Sequence, residues 1–324
     1  MKQIKWGILG CASIARKQLI PAIKEVDHAE VVAVASRSLE RAKAFAEQND
    51  IPEAYDSYEA LLDQDDIDAV YIPLPNHKHA EWTKKAAQKG KHVLCEKPAG
   101  LNQAQVEEMI AVCKENDVQF MEAYMYQFHP QWEKVREVLD SGRIGEIKII
   151  QAHFSFPMDD KENIRLQPDT GGGALYDVGC YCVHASRLIM QKEPTDVRAL
   201  AKYADNGIVD TSLQALLKFD NESIAHFDCS FEAANRQYVE VVGAVGTIEI
   251  DLPFRPDKGE AKIRVEAKNE QWEETFEPFN MYASQVEHFC AAIRGEAPLP
   301  IDTAQSVLNT KVIDVIYESA GRKV

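Results

Sequence analysis

No run of apolar residues approaches the roughly 18 that a membrane-spanning helix needs, which excludes a helical membrane protein and any membrane partner of that kind. Positive charge is in short supply. Against 52 aspartates and glutamates stand 36 lysines and arginines, and the resulting formal charge of −16 repels polyphosphate at long range, so nucleic acid is not an expected partner. The seven cysteines (Cys11, Cys95, Cys113, Cys180, Cys182, Cys229, Cys290) are odd in number and scattered, without a Cys-x-x-Cys pair. Neither a disulfide framework nor a zinc site is expected from them, only reduced and mostly buried thiols. The opening Met1-Lys2-Gln3-Ile4-Lys5-Trp6-Gly7 lacks the long apolar segment and small-residue cleavage site of a secretory signal, which predicts a cytoplasmic location.

What is present has an ordinary globular balance, 45% hydrophobic and 27% charged. The chain of 324 residues exceeds the roughly 250–300 at which one hydrophobic core stops growing, so two domains are expected. Through residues 1–123, strand-like runs at about 3–9, 30–36, 68–72, 91–95 and 118–123 alternate with amphipathic segments at 14–26, 39–48, 79–88 and 103–115. That alternation predicts a doubly wound parallel sheet, an α/β domain of Rossmann type, with Pro21 either kinking the first helix or sitting where its missing N–H does little harm. Residues 124–324 change texture. A helix near 130–141 is followed by β-like stretches near 145–156, 197–204, 210–219, 222–230, 238–243, 246–251, 261–267 and 272–277. One helical segment near 175–190 interrupts them, and helices near 281–293 and 303–320 close the chain. This is the pattern of an α+β domain with a large, mostly antiparallel sheet.

The segment Gly7-Ile8-Leu9-Gly10-Cys11-Ala12-Ser13-Ile14-Ala15 ends a strand and opens a helix, with a second strand about 20 residues on, which is the context of a dinucleotide fingerprint. Gly10 can make the tight turn, and Ala15 allows close helix–strand contact. Ala12 stands where a second glycine normally lets pyrophosphate approach. At the end of the second strand, where an acidic residue would bind the 2′-hydroxyl of NAD, the chain has Ser36 and Arg37. A hydroxyl and a guanidinium suit a 2′-phosphate, so NADP is expected over NAD.

Two further motifs carry chemistry. Cys95-Glu96-Lys97-Pro98 follows the fifth strand and places Lys97 at the carboxyl edge of the sheet, where ligands of open α/β folds bind. Gly171-Gly172-Gly173 then leads into a helix on which Asp177, Tyr181 and His184 recur at i, i+4 and i+7, one face of a regular helix. Taken alone, these three read equally as cap and core residues. His77 and His79 have no third ligand nearby, so no metal is expected.

Together with Leu74-Pro75-Asn76 and His79, and with Met121-Glu122-Ala123 through Phe128-His129-Pro130, these segments resemble the Gfo/Idh/MocA oxidoreductase family across nearly the whole chain. Tyr181, where other members have histidine, makes the resemblance strongest to the branch of aldose (xylose-type) dehydrogenases, glucose–fructose oxidoreductase and dimeric dihydrodiol dehydrogenase. The resemblance implies hydride transfer between NADP and a carbinol or carbonyl carbon of a sugar or related cyclic polyol. Lys97, Tyr181 and Asp177 would be its catalytic residues. Cofactor contacts are implied at Gly10, Cys11, Ala12, Ser13, Ile14, Ser36, Arg37, Leu74, Asn76, His79, Glu96 and Lys97. Substrate contacts are implied at His184, with His129 and Tyr126 as weaker candidates. The alternative is a non-catalytic NADP-sensing regulator of sugar metabolism, against which the joint retention of Lys97, Asp177 and Tyr181 argues. A sheet with few covering helices also predicts a homodimer or homotetramer.

Overall fold

Short β-branched runs alternating with amphipathic segments build the first of two units, Met1–Met125 with Asn280–Val307; the second is Tyr126–Phe279 with Leu308–Val324. The computed structural model describes residues 2–322. Along the first unit run β1 (Ile4–Leu9), α1 (Ile20–Glu25), β2 (Ala29–Ala35), α2 (Leu39–Asn49), β3 (Glu53–Tyr55), α3 (Tyr58–Leu62), β4 (Ala69–Ile72), α4 (His79–Gln88), β5 (His92–Cys95), α5 (Gln103–Glu115) and β6 (Phe120–Glu122). The six strands are all parallel in the order β3-β2-β1-β4-β5-β6. Helices cover both faces, which is why the strands read as unbroken apolar runs: every residue of β4 is buried. The strand order reverses between β1 and β4, and ligands of such sheets bind at the carboxyl ends beside that switch.

Two elements of this unit escape the sequence pattern. β3 has three residues, none buried, and α3 has five, too short for a helical period to register. The local signal for α3 is a cap, Ser57, whose hydroxyl accepts the Ala60 N–H at 3.2 Å. The structure also settles Pro21. Ala15–Leu19 is π-helical, with the Ile20 N–H donating five residues back to Ala15 O, and Pro21 follows as the second residue of α1. A helix already widened at this point absorbs the missing donor and the ring's bulk.

The second unit holds α6 (Pro130–Asp140), β7 (Ile147–Ser155), α7 (Cys180–Met190), β8 (Asp196–Tyr203), β9 (Asp210–Lys218), β10 (Ile224–Ser230), β11 (Arg236–Gly243), β12 (Gly246–Ile250), β13 (Ala261–Ala267) and β14 (Glu270–Phe276). These eight strands form one sheet, β14-β13-β12-β11-β7-β10-β9-β8. Pairing is antiparallel except between β7 and β10. The alternation is clear on β9, where Leu213, Ala215 and Leu217 are buried while Leu216 faces out. On the covered face α7 packs against β7 and β10, and α6 against β13. The exposed large side chains Ile149, Leu200, Leu216 and Ile224 lie on β7, β8, β9 and β10. Helices α8 (Met281–Ile293) and α9 (Thr303–Ser319) close the chain.

Candidate active site

At the carboxyl end of β1 the chain turns through Gly10 at φ +110°, a conformation L-residues rarely adopt. A Cβ there would also meet Leu74 Cδ2 at 3.0 Å. Gly10 is therefore fixed by local geometry, a buried tight turn beside the strand-order switch. Cys11, Ala12 and Ile14 are partly buried and Ser13 exposed. Burial raises the Cys11 pKa, so this thiol stays protonated near neutrality. At the end of β2, Ser36 is buried and Arg37 exposed. Sequence reasoning missed Arg41, in the first turn of α2: its guanidinium donates to Cys11 O at 3.3 Å, while the Ser38 hydroxyl caps the helix by accepting the Arg41 N–H. The cap signal Ser38-Leu39-Glu40-Arg41 could have found it, because the residue three positions after a cap faces the preceding loop. Tyr58 was also missed; its hydroxyl lies 3.7 Å from where a Gly10 Cβ would stand.

The Glu96-Lys97-Pro98 turn after β5 is held from several sides within the same unit. The Tyr71 hydroxyl donates to Glu96 Oε1 at 2.5 Å, and Glu122 Oε1, buried at the end of β6, accepts the Ala99 N–H at 2.8 Å. His79 Nδ1 lies 2.7 Å from Pro98 O, and its Nε2 lies 2.7 Å from Leu74 O. The Lys97–Pro98 peptide is cis. Expected among the cofactor contacts, His79 is instead wholly buried with both ring nitrogens against backbone carbonyls. What it offers the site is the spacing of the Leu74-Asn76 and Glu96-Pro98 loops. Burial pushes its pKa down to about 4 against the pull of the two carbonyls, with Lys97 lowering it further. Leu74, Asn76, Glu96 and Lys97 are partly buried.

In the second unit, Gly171 (φ +75°) and Gly173 (φ +140°) turn the chain into the helix that continues as α7. Asp210, buried on β9, takes up that helix's start: its Oδ2 accepts the Leu175 N–H at 2.7 Å and its Oδ1 the Tyr317 hydroxyl at 2.8 Å. A Cβ on Gly173 would come within 2.2 Å of Asp210 Oδ1. Neither Asp210 nor Tyr317 was legible beforehand, since their partners are far away in sequence. Leu175–Gly179 is π-helical, so the i, i+4, i+7 stripe expected of a regular helix starts inside a wider turn.

Asp177 is partly buried, and Arg165 Nε donates to its Oδ2 at 2.7 Å. Tyr181 is buried against Phe154, Phe254 and Tyr126 at ring separations of 5.6, 5.5 and 5.8 Å. His184 and Tyr126, expected as substrate contacts, lie in the interior of the unit, with the Tyr126 hydroxyl 2.6 Å from His184 Nδ1. Burial, and then Arg187, holds the His184 pKa down to about 3, so the ring is neutral. His129 is placed likewise: buried, its Nδ1 accepting the Gln131 N–H at 3.3 Å as the cap of α6, its ring edge-on to Phe276 and Phe279. Trp132 is core, its indole N–H donating to Pro253 O at 2.9 Å. Cys180 and Cys182, on either side of Tyr181, are buried. Among the described residues no helix is long and apolar enough to cross a membrane.

Residues 4–124 match the family described as an oxidoreductase family with an NAD-binding Rossmann fold, and residues 132–249 match the GFO/IDH/MocA C-terminal domain. The chain is 40% identical over 318 residues to a D-xylose 1-dehydrogenase (NADP(+)) of Haloferax volcanii, covering 97% of each. It is 36% identical over 249 residues to a trans-1,2-dihydrobenzene-1,2-diol dehydrogenase of Xenopus laevis, covering 76% of this chain and 74% of that one. A 3-ketoreductase from Actinomadura kijaniata, solved with NADP and TDP-benzene, superposes with a TM-score of 0.91 at 32% identity over 98% of both chains.

Proposed function

The chain belongs to the GFO/IDH/MocA oxidoreductase family, and we propose that it is an NADP-dependent enzyme moving a hydride between the nicotinamide and a carbinol or carbonyl carbon of a sugar or related cyclic polyol. The observation that carries this reading is the Glu96-Lys97-Pro98 turn, pinned by Tyr71, Glu122 and His79 at the carboxyl edge of a parallel sheet. Three side chains converge on one short turn, and the cation it bears is Lys97.

The residues present fit a dinucleotide. Gly10, at positive φ, makes the tight turn from strand to helix, and Gly10 to Ile14 would hold the pyrophosphate at the helix start. Ser36, Arg37 and Arg41 would hold a 2′-phosphate. Leu74, Asn76, Glu96 and Lys97 would line the nicotinamide side, with His79 setting their loops. When bound, NADP supplies the hydride acceptor or donor; the protein must manage the proton. Tyr181 is assigned that proton. A phenol with an ordinary pKa of about 10 needs a cation to ionise near neutrality, and Lys97 is the one the family resemblance assigns to the task. Asp177 accepts a substrate hydroxyl and so fixes which carbon is presented. Run in the other direction, the same groups donate a proton to a carbonyl, so equilibrium sets the direction.

The named relatives above are all catalysts, which favours this reading over the regulator. In this proposal residues 1–123 bind the cofactor and 124–324 bind substrate and form a homodimer or homotetramer through the uncovered face of the eight-stranded sheet, in the cytoplasm. A panel of aldoses and polyols, followed by nicotinamide absorbance with NADP and with NAD, tests it. Turnover with NADP is the expected result, and no turnover on any aldose or polyol with either cofactor would overturn the reading.

A further inference from the structure

The segment between β7 and the glycine turn has no part in the roles assigned so far, yet a dense set of local bonds fixes it. The Asn163 side-chain carbonyl accepts the Arg165 N–H at 3.1 Å, and the Leu166 N–H donates to Asn163 O at 2.9 Å. Thr170 donates its hydroxyl to Gln167 O at 2.9 Å and also contacts Ile164 O, while the Gln167 amide donates to Lys161 O at 2.8 Å. These bonds set one short turn, Ile164–Leu166. Gly173 N–H then donates to Arg165 O at 3.0 Å, and a Cβ on Gly172 would stand only 2.5 Å from that oxygen. The middle glycine is thus what admits the Arg165 peptide against the start of the helix. From this anchored backbone the Arg165 guanidinium reaches Asp177, with Nε 2.7 Å from Oδ2, and the two side chains are 43% and 14% exposed.

An ion pair whose arginine is 43% exposed is screened by solvent and contributes little to folding, so stability alone does not account for an arginine held this carefully. We propose that Arg165 is a specificity-determining residue: with Asp177 it presents a fixed carboxylate beside a guanidinium, an acceptor next to a donor, that reads two neighbouring hydroxyls of the substrate. The inference rests on the functional reading above and deepens it to the vicinal diol as the feature selected. One hydroxyl donates a hydrogen bond to the carboxylate, and its neighbour accepts one from a guanidinium N–H. A substrate lacking one of the two forgoes a charge-assisted hydrogen bond to this pair and binds more weakly, whereas a carboxylate without the guanidinium would not discriminate at the second hydroxyl.

D-xylose, D-glucose and the 2-deoxy and 3-deoxy forms of glucose serve as probes with saturating NADP. Arg165→Ala is expected to raise KM for the parent sugars roughly 10–100-fold with kcat changed less than about threefold, the signature of lost binding rather than lost chemistry. NADP affinity by intrinsic fluorescence should stay at the wild-type value. On the deoxy sugar lacking the read hydroxyl, wild type and variant should share one KM. Arg165→Lys keeps the charge without the planar fork and should fall between them. Should the alanine variant not fold, Arg165→Lys and Arg165→Gln allow the same comparison. An unchanged KM, or an equal loss on parent and deoxy sugars, overturns the proposal for Arg165 alone. A wild-type enzyme silent on every sugar overturns the functional reading, and this inference with it.

Discussion

Tyr126 and Tyr181 lie with ring centres 5.8 Å apart, and replacing either by phenylalanine should do opposite things. The Tyr126 ring is gripped by Trp132, Phe254 and His184 at 5.1, 5.4 and 5.6 Å, so Tyr126→Phe opens no cavity. What it removes is the hydroxyl 2.6 Å from His184 Nδ1, both residues being buried. Leaving a buried polar atom without its partner costs about 1–3 kcal/mol. At about 2–4 °C per kcal/mol for a unit of this size, the melting temperature should fall by about 2–12 °C, with kcat nearly unchanged. Tyr181→Phe keeps the contacts with Phe154 and Phe254 and removes the hydroxyl proposed to transfer the proton. There the loss belongs in kcat, about 10²–10⁴-fold, with NADP affinity near wild type. Thermal melts and steady-state kinetics on a confirmed sugar measure both. If Tyr181→Phe keeps more than about a tenth of kcat while Tyr126→Phe abolishes turnover at an unchanged melting temperature, the two roles have been exchanged and the assignment is wrong.

Arg37→Asp should reverse the preference for NADP over NAD by removing a charge-assisted contact worth about 1.5–3 kcal/mol; fluorescence titration with each cofactor reads it, and an unchanged preference moves the phosphate site elsewhere. Three buried histidines make the fold acid-sensitive: His79 and His129, with pKa values lowered to about 4, and His184, lowered to about 3, largely by burial. Because the unfolded chain takes up their protons near pH 6.5 and the folded chain does not, stability is full above that value. It should fall by up to about 1.4 kcal/mol per pH unit per histidine between roughly pH 6.5 and 4, and urea melts that stay flat from pH 7 to 5 would contradict this. Sedimentation at micromolar concentration should show a dimer or tetramer; a stable monomer removes the assembly through the sheet face that exposes Leu200 and Leu216.

Much of the architecture was legible because the signals are periodic. The buried runs of β4 and β5 and the alternation on β9 are patterns that a single sequence carries in full. β3 and α3 were invisible because neither is long enough to complete a period. The candidate site could be proposed from sequence where chemistry is local: Gly10 before a helix, Lys97 beside a proline, Ser36-Arg37 at a strand end. It was illegible where one residue acts through another distant in sequence. Asp210 grips the start of the helix bearing Tyr181, Glu122 holds Ala99, and Arg165 meets Asp177; each pairing is a product of the fold and leaves no spacing to detect. For His129 and His184, expected as candidate substrate contacts, the fold adds structural partners that the motif does not show. Histidine in a motif suggests chemistry, yet here one caps a helix and the other is bonded to a buried phenol.

The feature furthest from sequence patterning is helical phase. An apolar stripe presumes a regular turn, but two of the helices that begin beside candidate site loops carry a π-helical segment near their start, Ala15–Leu19 and Leu175–Gly179. A wider turn rotates the residues before it relative to those after it. Asp177, inside such a turn, is partly buried and paired with Arg165, while Tyr181 and His184, beyond it, are buried. Such turns are rare and persist only where their surroundings enforce them. In one helix the constraint is Pro21, which has no N–H to give. In the other it is Gly179, where a Cβ would lie 2.7 Å from Cys229 Sγ on β10, so the helix approaches the sheet more closely than any larger residue permits. The glycine and the proline look like defects in a helical pattern, yet each stands where its helix changes phase, the glycine two residues before Tyr181.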